Sequence, residues 1–245
     1  MERVVRFSEM LQRDERAKGT VEKYCRDVRD FASWLGEEPV RPEAVAGWKE
    51  HLLSLGLAPS TVNAKQSALN SLFCFLGWED CKGKLLKLQR RTFRDRKREL
   101  TRSEYERLLN RAWSIGNERL ALLLETICAT GIRVSEVRYI TVEALRAGKV
   151  DVALKGKIRT LLLPGKLCRK LLKYAQKQNV FSGEIYLTRN RRSLSRKQIW
   201  REMKDLCKGA GVEPSKVFPH NLRHLFATVF YRACRDIVKL ADILG

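Results

Sequence analysis

The sequence contains few of the residues that metal and redox sites use. There are 3 histidines in 245 residues, and the 7 cysteines form no Cys-x-x-Cys pair. Because an odd number of cysteines cannot pair completely, we expect reduced cysteines that serve mostly as small core residues. No close group of Cys, His, Asp or Glu has the spacing of a zinc or calcium site. The sequence therefore predicts no metal site and no cofactor, and it disfavours metal-dependent nuclease chemistry.

Long hydrophobic runs are also missing. The longest notable run covers residues 120–124, whereas a membrane-spanning helix needs ~20 apolar residues. The basic N-terminus is not followed by the apolar segment of a signal peptide. With 44% hydrophobic residues, including 5 Trp, 9 Phe and 6 Tyr, the composition is that of a globular protein. We expect a cytoplasmic protein without a membrane span, built from one large domain or, preferably, two modest ones.

Basic residues outnumber acidic ones only after residue 83. The net charge is +21, but residues 1–83 carry 12 basic and 13 acidic side chains, a net charge of −1. Residues 84–98 carry 8 and 1, and residues 99–245 carry 29 and 14, so their net charges are +7 and +15. A positive charge placed so unevenly favours a polyanionic partner, namely nucleic acid.

The first 83 residues have the apolar periodicity of a helical bundle. Four helices are predicted, over residues 3–13, from an N-cap at Thr20 to Gly36, from Pro42 to about Gly56, and from Pro59 to Gly77. Residues 84–98 are interpreted as a basic interdomain linker, either a solvated connection or a segment that contacts DNA phosphates. Its predicted DNA contacts are Arg90, Arg91, Arg94, Arg96, Lys97 and Arg98.

Residues 99–245 are predicted to form a second domain. A capping box at Thr101 and Glu104 opens its first helix, and a helix over 120–128 that is apolar nearly all round should be central to its core. Residues 150–154 and 158–163 have the pattern of a β-hairpin, and helices follow, one of them capped by Ser193 or Ser195. The fold class predicted is mainly α with a small β-hairpin, that is, α+β.

Four cationic or titratable positions in this domain are candidates for an anion site. Arg133 follows the helix break at Thr130-Gly131, and a lysine, Lys155 or Lys157, lies at the hairpin turn. His220 and Arg223 are three residues apart on a helix that Pro219 opens, where unpaired N–H groups and the helix dipole attract anions. Each position also has an ordinary structural explanation: a surface cation, or, for Arg133, an ion pair with Glu136. A basic, turn-rich segment adds three predicted DNA contacts, Arg191, Arg192 and Arg196.

Taken in order, these motifs resemble those of the tyrosine recombinase and phage integrase family. The matching segments are Thr130-Gly131-Ile132-Arg133-Val134-Ser135-Glu136, Lys155-Gly156-Lys157-Ile158-Arg159 and His220-Asn221-Leu222-Arg223-His224, and residues 240–245 look like the penultimate signature of the family. The resemblance implies an N-terminal SAM-like core-binding domain over residues 1–83 and a recombinase catalytic domain over 99–245. It also implies site-specific recombination of double-stranded DNA, such as the integration of mobile elements, by an oligomer such as a tetrameric synapse.

The family also implies a role for each candidate. Recombination there proceeds by attack of a tyrosine on a phosphodiester, which leaves a 3′-phosphotyrosyl link and a free 5′-hydroxyl without any metal. By resemblance, Arg133 and Arg223 would flank the scissile phosphate, since guanidinium groups are permanently charged and bind phosphate oxygens in pairs. His220 would assist proton transfer, and Lys155, or alternatively Lys157, would be the general acid for the 5′-oxygen. Glu136 would support the arginines.

The nucleophile of the family follows the Leu-Gly of the last motif by about ten residues, whereas the present sequence ends at Gly245. Tyr231 is interpreted as a core residue. We therefore expect a truncated recombinase that binds DNA and pre-forms the pocket but makes no covalent intermediate, which leaves its status as an enzyme uncertain. One alternative is a recombinase-derived DNA-binding or regulatory protein without catalysis. Another is a generic basic nucleic-acid-binding protein in which the motif order arose by chance. The DNA site, source element and directionality are not predicted.

Overall fold

A computed structural model describes residues 2–88, 98–154 and 157–245 of the chain. The chain divides into two compact units, Met1–Thr92 and Phe93–Gly245. The division lies inside the stretch interpreted as a linker; the domain bounds 1–83, 84–98 and 99–245 stay predictions. Most residues are helical and the two strands pair with each other, so the predicted mainly α fold with a small hairpin is confirmed.

The first unit is a bundle of helices around an aromatic and aliphatic core. Its helices are α1 (Glu2–Arg13), α2 (Lys18–Leu35), α3 (Pro42–Ser54) and α4 (Pro59–Leu76), followed by a 3-10 turn at Glu79–Cys81. The fully buried side chains include Phe7, Val62, Leu69 and Phe73. The prolines begin α3 and α4, and Gly36 and Gly77 end α2 and α4 with positive φ, as predicted.

The predicted N-cap at Thr20 is wrong. The residue before α2 is Ala17, and its carbonyl already accepts hydrogen bonds from the backbone N–H groups of Thr20 and Val21. Thr20 therefore lies inside the first helical turn rather than at its start. The cap residue, Ala17, makes no side-chain hydrogen bond. The preference of threonine for the cap position therefore does not determine where this helix begins.

The second unit is built around one buried helix. It contains α5 (Arg102–Ser114), α6 (Glu118–Thr130), a 3-10 segment (Val134–Tyr139), α7 (Val142–Ala147), β1 (Lys149–Leu154), β2 (Lys157–Leu162), α8 (Gly165–Lys177), α9 (Arg196–Ala210), α10 (Pro219–Cys234) and α11 (Ile237–Leu244). Residues 120–124 and Ile127 of α6 are at most 1% exposed. Because α5, α8, α9 and α10 all pack against α6, the prediction that this helix is central is confirmed.

The hairpin is antiparallel and pairs Lys149 with Leu162 and Leu154 with Lys157. The capping box at Thr101 and Glu104 is present, and Ser195 rather than Ser193 caps α9. The segment 184–187 forms isolated bridges, which join Glu184 to Thr141 and Leu187 to Ser193. Helix α7 was not predicted from the sequence.

One prediction about core residues is wrong: Tyr231 is 47% exposed on α10, although its helix is apolar-periodic. The prediction that most cysteines are core residues is confirmed. Cys25, Cys168 and Cys207 are buried and Cys81 and Cys128 pack against the core, whereas Cys74 and Cys234 are exposed; all 7 are free. Periodicity identifies which residues share a helix face but not whether another element covers that face. Within the described residues, no helix is both long and apolar enough to cross a lipid bilayer.

Candidate functional site

The site begins where α6 ends. Gly131 terminates that helix with φ +64°, and a Cβ added to it would lie 2.5 Å from the ring of Phe226. Both the left-handed backbone and this close approach require glycine. The chain then turns sharply, so that Arg133 becomes the residue that precedes the 3-10 segment.

Glu136 holds Arg133 in place. Its carboxylate is 1% exposed and accepts hydrogen bonds from the backbone N–H and from Nη1 of Arg133, both at 2.9 Å. Burial raises the pKa of the Glu136 carboxyl, but the hydrogen bonds from Arg133 and the positive charges of Arg159 and Arg133 outweigh it and hold that pKa below its usual value. Glu136 is therefore ionised at neutral pH and fixes the guanidinium of Arg133.

Arg159 of β2 is the second partner of Glu136. Its Nη2 lies 2.5 Å from Glu136 Oε2, and its side chain is 12% exposed. It shares the inward face of β2 with Leu161, which is 1% exposed, whereas Ile158 and Leu162 are 75% and 78% exposed. Sequence reasoning missed Arg159 although it lies inside the hairpin motif. The alternation of Ile158 and Leu162 concealed it, because that pattern favours the opposite face of β2 as the inward one.

Arg223 reaches the same place from α10. It is 9% exposed, and its Nη1 donates to the carbonyl oxygen of Gly131 at 2.5 Å. Burial, together with the charges of Arg133 and Arg159, lowers the pKa of Arg223 to about 10. The group therefore stays charged at neutral pH. Three guanidinium groups thus lie near one acidic side chain, Glu136, and Arg133 Nη2 also donates to an oxygen of Gly245 at 2.5 Å.

The three guanidinium groups converge on one point. The carbonyl oxygen of Leu244, at the end of α11, accepts hydrogen bonds from Nη2 of Arg133 at 3.0 Å, from Nη1 of Arg159 and from Nη2 of Arg223. A peptide oxygen with this many charged donors occupies a position that suits an oxygen atom of higher negative charge.

His220 lies at the rim of the same site. It is the second residue of α10, and its ring contacts that of His224 with centroids 4.3 Å apart. A cleft of about 190 Å³ is lined by Ile132, Arg133, Val134, Ser135, Arg196, Pro219, His220 and Arg223. The structure thus brings together Arg133, His220 and Arg223, which are up to 90 residues apart in the sequence. Arg196, predicted from a basic segment, joins them.

The other predicted residues are placed as follows. Lys155 and the linker residues Arg90, Arg91, Arg94, Arg96 and Lys97 lie outside the described residues, and Lys157 is described only as the first backbone position of β2. Arg98 is exposed, and its carbonyl accepts a hydrogen bond from Asn221 Nδ2 at 2.7 Å.

Arg191 and Arg192 are not brought to this cleft. The guanidinium of Arg191 donates to the carbonyl of Asn179 at 3.3 Å, and Arg192 lines a separate polar cleft beside Arg119 and Arg189. Only Arg196, of these three predicted contacts, lines the cleft at Arg133. Side chains of this basic segment therefore line two different clefts, Arg192 one and Arg196 the other.

Chemically, the arrangement suits an oxyanion. Fixed guanidinium groups offer paired donors to a tetrahedral anion, and a histidine at the rim can accept or donate a proton. Across the described ranges, no group of three or more His, Cys, Asp or Glu residues is placed to hold a metal ion. None of the residues that line the cleft is a tyrosine.

Residues 98–245 match the model of the phage integrase family, and residues 4–80 match that of its N-terminal SAM-like domain. Tyrosine recombinase XerA of Pyrococcus furiosus is 26% identical over 248 residues, which cover 98% of this chain and 83% of XerA. Tyrosine recombinase XerD of Vibrio cholerae is 28% identical over 252 residues, which cover 94% of this chain and 82% of XerD.

Solved structures share the fold. A lambda integrase tetramer bound to a Holliday junction has a TM-score of 0.79 at 18% identity, covering 100% of this chain and 73% of that chain. XerH site-specific recombinase bound to its difH substrate has a TM-score of 0.73 at 18% identity, covering 97% and 78%. The resemblance predicted from the motifs at Arg133, the hairpin and His220 is confirmed: the chain belongs to the phage integrase family, and its curated relatives are tyrosine recombinases.

Proposed function

We propose that this protein acts in the cytoplasm as a site-specific recombinase that binds duplex DNA and holds the scissile phosphate between Arg133 and Arg223. The observation that carries the proposal is the single cleft that these two arginines and His220 line, in a chain whose family is that of the tyrosine recombinases. Relatives of the same fold are DNA-bound recombinases, including a tetramer and a dimer, so we also propose assembly on DNA.

The arginines would act mainly on the transition state. In-line attack on a phosphodiester adds negative charge to the nonbridging oxygens, and the guanidinium groups are placed to stabilise it. Their positions are fixed before the reaction, Arg133 by Glu136 and Arg223 by the Gly131 carbonyl. Donors of this kind typically contribute about 10²–10³ in rate each. The site is thus organised to stabilise the charge that develops.

Proton transfer is assigned to His220 and to a hairpin lysine. His220 lies at the rim of the cleft, where it can exchange a proton with the attacking or leaving oxygen. Lys155 and Lys157 remain rivals for protonation of the 5′-oxygen. Comparison of Lys155→Ala and Lys157→Ala on a nicked duplex, with the nucleophile supplied, decides between them: normal release of the 5′-hydroxyl by both variants would mean that neither lysine is the acid.

A second candidate function is DNA binding without strand cleavage. It is favoured by the positions of the tyrosines in the second unit, since none of them lines the cleft. Tyr186, for example, is buried and hydrogen-bonded to the Leu122 carbonyl at 3.0 Å, and burial raises the pKa of its phenol. The described residues therefore supply a phosphate site with no tyrosine among its lining residues, which suits a regulatory DNA-binding protein.

One experiment separates the two functions. A duplex selected from a random pool by the 245-residue chain is synthesised with a nick at each position in turn, incubated with the protein, and resolved by denaturing electrophoresis. A covalent adduct that disappears in Arg133→Ala and Arg223→Ala establishes catalysis by this chain. Selective binding with no adduct establishes the second function. A failure to select any sequence, with equal affinity for unrelated duplexes and RNA, contradicts both.

A further inference from the structure

Arg159 is the charged residue of the site to which neither the motifs nor the predicted chemistry assigned a role. It is nearly buried, at 12% exposure of its side chain, and comes from β2, whereas Arg133 follows α6 and Arg223 belongs to α10. Three separate elements therefore each deliver one guanidinium group to the same place. Burial of an arginine on the inward face of a strand costs free energy unless its N–H groups donate hydrogen bonds. The groups that accept from Arg159 therefore indicate its role.

The Glu136 carboxylate accepts a hydrogen bond from only one nitrogen of the Arg159 guanidinium. Nη2 binds Glu136, while Nη1 points to the carbonyl oxygens of Ile243, at 2.6 Å, and of Leu244. Its Nε is buried and has no hydrogen-bond partner among the described residues. A purely structural clamp on Glu136 would need Nη2 alone. Nη1 therefore reaches the oxygen on which Arg133 and Arg223 also converge.

Charge balance leads to the same conclusion. Glu136 supplies one negative charge to Arg133 and Arg159, while burial, together with the charges of these two arginines, lowers the pKa of Arg223 to about 10. Three like charges held together in a partly dry site repel one another unless an anion joins them. In the structure, the peptide oxygen of Leu244 accepts from all three arginines, and an oxygen of Gly245 accepts from Arg133 Nη2 at 2.5 Å.

Resting on the phosphate site proposed above, we infer that Arg159 is a third phosphate-binding arginine, which contacts the anion through Nη1 while Nη2 locks Glu136 and, through it, Arg133. The site then holds a tetrahedral oxyanion with three guanidinium groups rather than two. A bound phosphate takes the place of the Leu244 carbonyl.

Tungstate, a tetrahedral dianion, tests this on the 245-residue chain by isothermal titration calorimetry at fixed ionic strength. Arg159→Met should weaken tungstate binding by about tenfold or more, as Arg133→Met and Arg223→Met should, because each removes charge-assisted hydrogen bonds. Arg146→Met, which removes an exposed arginine of α7, is the matched control and should change the affinity less than about twofold.

Arg159→Lys separates contact with the anion from support of Glu136. A lysine keeps the positive charge and can pair with Glu136. Its single ammonium group, however, cannot replace a planar guanidinium that donates to Glu136 and to the anion at the same time. We expect about threefold to fivefold weaker tungstate binding, with circular dichroism and the urea midpoint unchanged. If Arg159→Met does not fold, this variant decides alone.

The outcomes are distinct. Full affinity in Arg159→Lys, or a loss under twofold in Arg159→Met, overturns the inference, because Arg159 would then act only on Glu136 or not at all. If Arg133→Met and Arg223→Met still weaken binding in that case, the proposed phosphate site stands. If the wild-type chain shows no saturable tungstate binding, the phosphate site and the inference both fail.

Discussion

Asp27 in the first unit and Glu136 in the second are both 1% exposed and both surrounded by cations. Asp27 pairs with Lys23 at 2.6 Å, Lys65 at 3.4 Å and Arg26 at 3.6 Å, and the exposures of these three side chains are 40%, 16% and 65%. The partners of Glu136 are arginines that are 34% and 12% exposed, at 2.9 and 2.5 Å.

The surroundings of the two carboxylates differ in charge balance. Lys65 is shared with a second carboxylate, Asp30, at 2.6 Å, so two acidic side chains face the three cations of this cluster. Around Glu136, the buried Arg223 adds a third cation, and no acidic side chain other than Glu136 pairs with Arg133 or Arg159 in the part of the chain that the structure describes. A cluster nearer to charge balance stabilises a fold, whereas three fixed cations that share one acidic side chain are prepared for an anion. The position of charge, more than its amount, distinguishes a structural cluster from a binding site.

The largest effect on stability is expected for Glu136→Gln. Removal of the carboxylate leaves Arg133 and Arg159 facing each other in a mostly buried site, which should cost about 3 kcal/mol in the free energy of unfolding of the second unit. Hydrogen exchange of α6 peptides during urea unfolding measures it. Glu106→Gln, which removes a surface carboxylate paired with Arg102, should cost less than about 0.5 kcal/mol. Equal losses in the two variants would contradict the importance of burial.

The loss of unfolding free energy in Glu136→Gln should depend on pH. The pKa of Glu136 is lowered in the folded protein from an ordinary value of 4.5, so its stabilising contribution is complete above that value and is lost as the pH falls through the lower, folded-state pKa. The difference in unfolding free energy between wild type and Glu136→Gln should therefore be constant from pH 7 to about 5 and shrink at lower pH. Urea unfolding at stepped pH measures it. A difference that persists unchanged to pH 3 would show that the carboxylate charge is not its source.

A smaller effect is expected in the first unit. Asp27→Asn should cost about 1 kcal/mol, because Lys23 and Arg26 are already largely exposed and can return to water. Hydrogen exchange of α4 peptides reports this unit separately from the second. A loss as large as that of Glu136→Gln would remove the distinction between the two clusters.

The smallest effect per residue concerns the linker. Replacement of Arg90, Arg91 and Arg94 by Ala should reduce the slope of log affinity for duplex DNA against log salt by about 0.9 for each DNA phosphate that the protein no longer neutralises. A charge-matched control replaces the exposed Arg146, Arg169 and Lys173 of α7 and α8. If both triple variants change the slope equally, DNA binding depends on net charge and not on the linker.

Local signals in the sequence predicted most of the fold. The helix ends at Gly36, Gly77 and Gly131 and the helix starts at Pro42 and Pro59 were identified because backbone conformation there depends on the residue itself. The cleft residues Arg133, His220 and Arg223 were identified only through the order of the motifs, since each alone had an ordinary explanation. Their common cleft follows from the packing of α10 against α6.

What the sequence did not reveal depends on tertiary contacts. Ile158 and Leu162 are apolar residues of β2, and their pattern alone would turn them inward; they are instead exposed, and Arg159 faces in to meet Glu136. Which face of the hairpin is covered is decided by its packing against α11 and the 3-10 segment. The exposure of Tyr231 has the same origin, because a helix pattern cannot say what lies opposite.

The central claim is that Arg133 and Arg223 bind one particular phosphate. On the selected duplex, each phosphate is replaced in turn by an uncharged methylphosphonate, and the affinity is measured for wild type, Arg133→Ala and Arg223→Ala at one salt concentration. We predict a position in each half-site where the replacement weakens wild-type binding by about tenfold but binding of either variant less than about twofold, since the partner of that charge is already gone. Equal losses in wild type and variants at every position would contradict the claim.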